Sequence, residues 1–191
     1  TACTVSLAGT QQYSEAIHWD RKEEIEQELV TKHIRNVLYE FGIHDYNETG
    51  PETAKAGKLV HLKTQIEFSR KLIINNVGRF IEKLHPTPAI CGLPVKESLE
   101  LIFQTETFDR EYYCGFLGPF NPEDRTNLFV NLRCLQAFDN GVALYAGGGI
   151  TPDSDPDKEW EETRLKIQTL ENILDTLFSV TTINLSMFNK T

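Results

Sequence analysis

SDPDKEWEETRLK, Ser154 to Lys166, is the stretch whose reading decides the fold. Asp155 followed by Pro156 is an N-cap with proline at the first helical position, so a helix starts here. On it Glu159, Glu162 and Lys166 recur at spacings of three and four and share one side. Beside them Trp160, Ile167, Leu170, Leu174 and Leu177 form an apolar stripe that anchors the helix in a core. Two carboxylates and an ammonium bordering a buried face are costly unless something binds them. The expectation is a divalent cation and an anionic ligand, with the other half of their site supplied elsewhere in the chain.

That half is read at Asp20 to Phe41, a second helix. Its inner stripe is Glu23, Glu26, Val30, Ile34 (or His33), Val37 and Phe41. An acidic first turn alone is more simply a complement to the helix dipole. Here the acidic i, i+3 pair of Glu159 and Glu162 is repeated at the head of another helix, and two such pairs facing each other repel unless a cation lies between them.

Working outward, Thr1 to Thr10 reads as a strand ending in a Gly9-Thr10 turn, and Lys58 to Ile66 as a strand carrying His61. Gly42 to Gly57 is polar and bears Gly and Pro, so it reads as a loop. Leu72 to Leu84 is helical by pattern, and the Pro-rich segment His85 to Pro94 links it to a helix from Pro94 to Phe103. Tyr112 to Gly118 and Asn127 to Phe138 read as two strands, with Val142 to Tyr145 closing a meander at Asn140-Gly141. Arg133 interrupts the second apolar run, and a buried Arg needs an anionic partner. The glycines of AGGGI, Ala146 to Ile150, let a carboxylate approach the backbone, although the spacing is not a dinucleotide fingerprint. Ser179 to Thr191 reads as a peripheral strand or a loose tail.

The chain has 191 residues, 40% of them hydrophobic and 25% charged, with a net charge of −9. That fits one core, argues against a nucleic-acid surface, and offers no apolar run of the roughly 18 residues a membrane span needs. Cys3, Cys91, Cys114 and Cys134 form no C-x-x-C pair and sit among apolar or small residues, which predicts reduced, buried thiols in a cytoplasmic protein. The start on TACTVSLAGT, without Met, predicts a piece of a longer domain.

Taken in order, LAGT (7–10), VHLKT (60–64), HPTPAICGLP (85–94), FDREYYCGFLG (108–118), NLRC (131–134), LYAGGGI (144–150) and SDPDKEWEETRLK resemble the chorismate-utilising enzymes. The HPTPA form most resembles isochorismate synthases; salicylate synthases usually have Thr where Ala89 stands. The resemblance implies an α+β fold of mixed antiparallel sheet layers with helices on the outside, residues 1–191 being the C-terminal part of one chorismate-binding catalytic domain. It also implies Mg2+ at Glu26 and Glu162, with Glu23 and Glu159 bound directly or through waters. Lys166 then balances the ring carboxylate of chorismate, Arg133 and Tyr113 hold its enolpyruvyl carboxylate, Gly147 borders that anion, and Thr10, His61 and Ala89 line the ring. The implied reaction adds water at ring C2 while the C4 hydroxyl leaves. Its base and acid, a Lys and a Glu, precede LAGT in the family order, so the chain alone is expected to be inactive. The parent enzyme is expected to be a monomer, its product destined for menaquinone or a siderophore, and the piece is expected to self-associate through uncovered sheet surface. The chain departs from the pattern at Gln27, usually His, at Gly148, often Ala, in the short segment from Thr10 to Glu23, and in lacking the Arg that usually follows LAGT. A non-catalytic cation- or partner-binding module is the reading of another class.

Overall fold

The strand that carries His61 is buried along nearly its whole length, and the rest of the core is laid on it. This computed structural model describes residues 1–57, 59–121 and 123–178. Strand β1 (Ala2–Gln12) and β2 (Tyr46–Ala56) flank β3 (Leu59–Phe68) in an antiparallel sheet of order β1-β3-β2. Alternation sends Val60, Leu62, Thr64, Ile66 and Phe68 of β3 to one face and His61 to the other.

The first face receives α1 (Arg21–Glu40), which buries Gln27, Val30, Thr31, Ile34, Val37 and Leu38 at helical spacing. Asp20 and Glu23 close a capping box at its start. Gly42 at φ +68° ends it, and the Ile43 amide then bonds the Leu38 carbonyl at 2.9 Å, a left-handed C-terminal exit. Ile43, Ile73 and Phe80 complete the hydrophobic cluster with Ile66 and Phe68.

Inside β1 the register slips by one residue between Ala8 and Gln11. The sequence predicts a strand-ending turn at Gly9-Thr10; the chain instead forms a bulge and continues to Gln12. Gly9 sits at φ +67°, and a Cβ there would lie 3.1 Å from the Glu23 side chain and 3.2 Å from the Trp19 ring.

The predicted loop over 42–57 is largely strand. β2 is an edge strand exposed on nearly every residue, so it lacks the alternation that marks a half-buried strand. It is held by β3, with a slip between Thr49 and Glu52 at Gly50-Pro51. The predicted helix over Leu72–Leu84 is divided into a 3-10 turn, Arg70–Leu72, and α2 (Val77–Leu84), with Asn76 as N-cap. Two short helices follow, α3 (Pro88–Cys91) and α4 (Val95–Thr105).

The predicted meander also divides. β4 (Phe116–Leu117) pairs with β5 (Phe129–Val130), and β6 (Cys134–Phe138) pairs with β7 (Gly141–Tyr145). Residues 112–114 form a turn in which Cys114 has φ +64°, and Arg133, at φ +50°, breaks the predicted second strand between β5 and β6.

Helix α5 (Pro156–Phe178) starts where Asp155-Pro156 places it, with the Asp155 carboxylate accepting the amides of Asp157 and Lys158 at 3.0 and 3.3 Å. Its apolar stripe is only partly inward: Leu174 is buried but Trp160 is 57% exposed, because the first turn turns Glu159 inward instead. The Leu177 side chain and the tail from Ser179 lie outside the described residues. Helices and antiparallel sheets together make the α+β fold that the sequence predicts.

Ile66→Ala should lower the unfolding free energy by about 2–5 kcal/mol, as deletion of a fully packed side chain does. The same truncation at Leu7, 48% exposed on β1, should change it by no more than about 0.5 kcal/mol. Urea denaturation of the two variants checks the pair.

Candidate active site

Two helix starts and one glycine run build the site. The first turns of α1 present Lys22 and Glu26 at i, i+4, and the first turns of α5 present Glu159, Glu162 and Lys166. Between them passes Gly147–Gly149. A Cβ on Gly149 would lie 3.4 Å from Glu26 Oε1, and one on Gly148 would lie 3.5 Å from Glu159 Oε2. A Cβ on Gly147 would lie 2.8 Å from the Tyr113 hydroxyl, closer than a side chain can stand. A side chain at 147 would have to displace the Tyr113 hydroxyl, and glycine leaves that hydroxyl beside the backbone.

On the α5 side Lys166 Nζ is 2.6 Å from Glu162 Oε1 and donates to the Gly147 carbonyl at 3.0 Å. On the α1 side Lys22 donates to Glu159 Oε1 and stands 3.5 Å from Glu26 Oε1. Burial raises the Glu26 carboxyl above its ordinary value; the Lys22 charge opposes this, and the Glu162 charge adds to it. Burial alone would lower the Lys22 ammonium, but the Glu159 bond and the charges of Glu26, Glu159 and Glu162 carry it above its ordinary value. Glu159 is 6% exposed. Glu26 Oε1 and Glu159 Oε2 are buried without a hydrogen-bond partner, a costly state for carboxylate oxygens.

The opposite face of β3 supplies the second part. His61 Nδ1 is 2.8 Å from the Gly9 carbonyl and 3.3 Å from Thr10 Oγ1, while Nε2 is 3.4 Å from Arg133 Nη2. A proton on Nδ1 satisfies the carbonyl and leaves Nε2 to accept from the guanidinium. Burial holds the imidazole below its usual value, with the Arg133 and Lys166 charges acting the same way, so the ring is neutral at neutral pH. Burial also pulls the Arg133 guanidinium down, opposed only by the Glu162 charge. Among the described residues no carboxylate hydrogen-bonds Arg133. Tyr113 is stacked on Tyr145 with ring centroids 5.4 Å apart, and burial pushes its hydroxyl well above the ordinary value, the neighbouring Cys114 adding to it.

Thr10, His61, Tyr113, Arg133, Gly147, Lys166, Glu26, Glu159 and Glu162 are therefore linked through direct contacts or felt charge. Two predicted residues stand otherwise. Ala89 is exposed on α3 and takes no part in these contacts. Glu23 accepts the Asp20 amide at 3.0 Å and the Gln11 side chain at 3.4 Å, so it serves the cap and β1. The carboxylates are not a ready-made ligand set: among the described residues no three His, Cys, Asp or Glu side chains converge as one.

Sequence reasoning missed Lys22, although the i, i+4 spacing that links Glu162 to Lys166 also links Lys22 to Glu26. It also missed Gln27 as a buried joint: its amide donates to Thr64 Oγ1 at 2.9 Å and to the Ser6 carbonyl at 3.3 Å. Seating the first turns of α1 on the sheet in this way fixes where Glu26 and Lys22 emerge.

Residues 4–175 match the family model described as chorismate binding enzyme. The chain is 35% identical over 152 residues to the isochorismate synthase EntC of Escherichia coli, covering 80% of this chain and 39% of that protein. It is 30% identical over 186 residues to the salicylate biosynthesis isochorismate synthase of Pseudomonas aeruginosa, covering 92% and 39% respectively. Among solved structures it is similar to the putative 2,3-dihydroxybenzoate-specific isochorismate synthase DhbC of Bacillus anthracis, with TM-score 0.77 and 28% identity over 90% of this chain and 49% of that one. The chain thus spans about two-fifths of the length of these curated relatives. The family-model match from residue 4 to 175, with relatives 35% and 30% identical over most of this chain, places the chain in the chorismate-binding enzyme family.

Proposed function

We propose that the chain is the C-terminal part of the catalytic domain of an isochorismate synthase and that it holds Mg2+ and chorismate around the glycine run. One observation carries the reading: two buried carboxylate oxygens without donors face the glycine run, and a half-buried arginine that feels the Glu162 charge is hydrogen-bonded by no carboxylate among the described residues. These are complementary halves of a site for an anion and a cation.

The donor set fits Mg2+, which takes one or two carboxylates and keeps waters. Glu26 and Glu159 would hold the ion through their unpartnered oxygens, Glu162 would add its charge from beside Lys166, and Glu23, engaged by the Asp20 amide, would contribute only through water. Held there, the ion would supply positive charge for the ring carboxylate of chorismate. Arg133 takes the enolpyruvyl carboxylate in a charge-assisted pair, with the Tyr113 hydroxyl and the Gly147–Gly149 amides along its edge. Neutral His61 holds the guanidinium in place through Nε2 and lines the ring with Thr10; Ala89 would reach the ring only from α3. Lys166 fixes the glycine run through the Gly147 carbonyl and offsets the acidic charge.

These residues bind and orient. The base that activates water for C2 and the acid that protonates the departing C4 hydroxyl are assigned to a Lys and a Glu preceding LAGT in the family order. Among the described residues no helix is long and apolar enough to cross a membrane. The four cysteines are free, and only Cys91 and Cys114 are buried as predicted, Cys3 lying exposed on β1 and Cys134 half-buried on β6; free thiols support a reducing, cytoplasmic setting.

Calorimetric titration of chorismate should show binding in Mg2+ and none in EDTA; equal affinity in both would overturn the cation's place in the site. Arg133→Lys keeps the charge but loses the planar fork, and should weaken chorismate binding by about tenfold, or about 1.4 kcal/mol. Product separation from the enzyme with chorismate and Mg2+ should give isochorismate; salicylate with released pyruvate would replace that assignment.

The neutral state of His61 has its own check. Its folded pKa lies below the ordinary value, so between pH 7.5 and 5.5 the unfolded chain takes up a proton that the folded chain refuses, and stability falls as pH falls. Thermal unfolding across that window should show a shallower loss for His61→Asn than for the wild type.

A further inference from the structure

The cation's proposed place already has a cation beside it. Lys22 donates to Glu159 Oε1 and lies 3.5 Å from Glu26 Oε1, bridging α1 and α5 across 137 residues of sequence. We propose that Lys22 is an internal counter-ion that closes the acidic cleft and has to withdraw before Mg2+ binds. The inference rests on the reading of Glu26 and Glu159 as holders of that ion.

Three observations carry it. First, Lys22 Nζ stands 3.5 Å from Glu26 Oε1, one of the two oxygens offered to the ion, and an ammonium and a divalent cation repel strongly at that range. Second, Lys22 is an incomplete substitute: Glu159 is 6% exposed and its Oε2 keeps no hydrogen bond, and Glu26 Oε1 is also left without one. One ammonium cannot satisfy what an ion of higher charge with its own waters can. Third, Lys22 is free to leave. Its side chain is 24% exposed at the first turn of α1, and among the described residues its partners are these carboxylates alone. Lys166 differs, because it also holds the Gly147 carbonyl and its departure would release the glycine run.

The arrangement makes the cation-free cleft electrically tolerable without preforming a ligand set. It also sets a threshold, since Mg2+ has to outcompete a tethered ammonium whose local concentration never falls.

The test uses the 191-residue chain. In calorimetric titration with MgCl2, Lys22→Met should bind about tenfold more tightly than the wild type, equivalent to about 1.4 kcal/mol. Lys158→Met removes the same charge from an exposed position on α5 and should stay within about twofold of the wild type, as expected for a solvent-screened charge. Independently, in the wild-type chain, acetic anhydride labelling read by peptide mass spectrometry should rise several-fold at Lys22 when MgCl2 is added and stay constant at Lys158. Equal Mg2+ affinity for wild type and Lys22→Met, equal tightening in both variants, or labelling of Lys22 that ignores Mg2+ would each overturn the inference while the Mg2+ reading stands. Absence of Mg2+ binding in all three proteins would overturn that reading and the inference with it.

Discussion

Carboxylates cannot be buried together without compensating positive charge, and much of this molecule's arrangement follows from that constraint. Glu26 arrives from α1 and Glu159 from α5, each partly removed from water, and Glu162 adds a third negative charge within reach. Positive charge comes from the same helices, Lys22 one turn before Glu26 and Lys166 one turn after Glu162. The order is mirrored on the two helices, so each brings its own compensation before they meet. What is left over among the described residues is small and specific: two carboxylate oxygens without donors on one side, and on the other a guanidinium that no carboxylate hydrogen-bonds.

Holding these groups apart is the work of the sheet and the glycine run. Gln27 fastens the first turns of α1 to β1 and β3, so Glu26 emerges at a fixed height over the sheet. The glycines keep the backbone close to both helix starts and exclude side chains from the space between. His61, buried in the central strand, contacts Arg133 on the opposite face of the sheet. Acidic and basic halves are thus carried by different layers, and each is anchored through polar contacts.

Much of this was legible in the sequence. The periodicity of α1, the start of α5 at Asp155-Pro156, and strands β1 and β3 follow from patterns that burial imposes. The i, i+3 acidic pairs picked out the two helix starts that meet. Elements whose form is set by neighbours were not legible. β2 is exposed on both faces and shows no alternation, so only its partner makes it a strand. Arg133 takes a left-handed conformation that no residue type announces, which divided a run that reads as one strand. Trp160 was assigned to a core that α5 does not enter until later in its length. Glu23 was grouped with Glu26 by spacing, whereas the cap competes for it and wins.

The bulge at Gly9-Thr10 gives β1 two parities. Before it, Ser6 faces the helix layer beside Gln27; after it, Gln11 does so beside Glu23, while Thr10 and the Gly9 carbonyl are turned to His61. A single strand is thereby split into a segment that answers to packing and a segment that holds the imidazole. One inserted residue acts as the border between them, so changes in the core-facing half of β1 can accumulate without disturbing the imidazole that the other half holds.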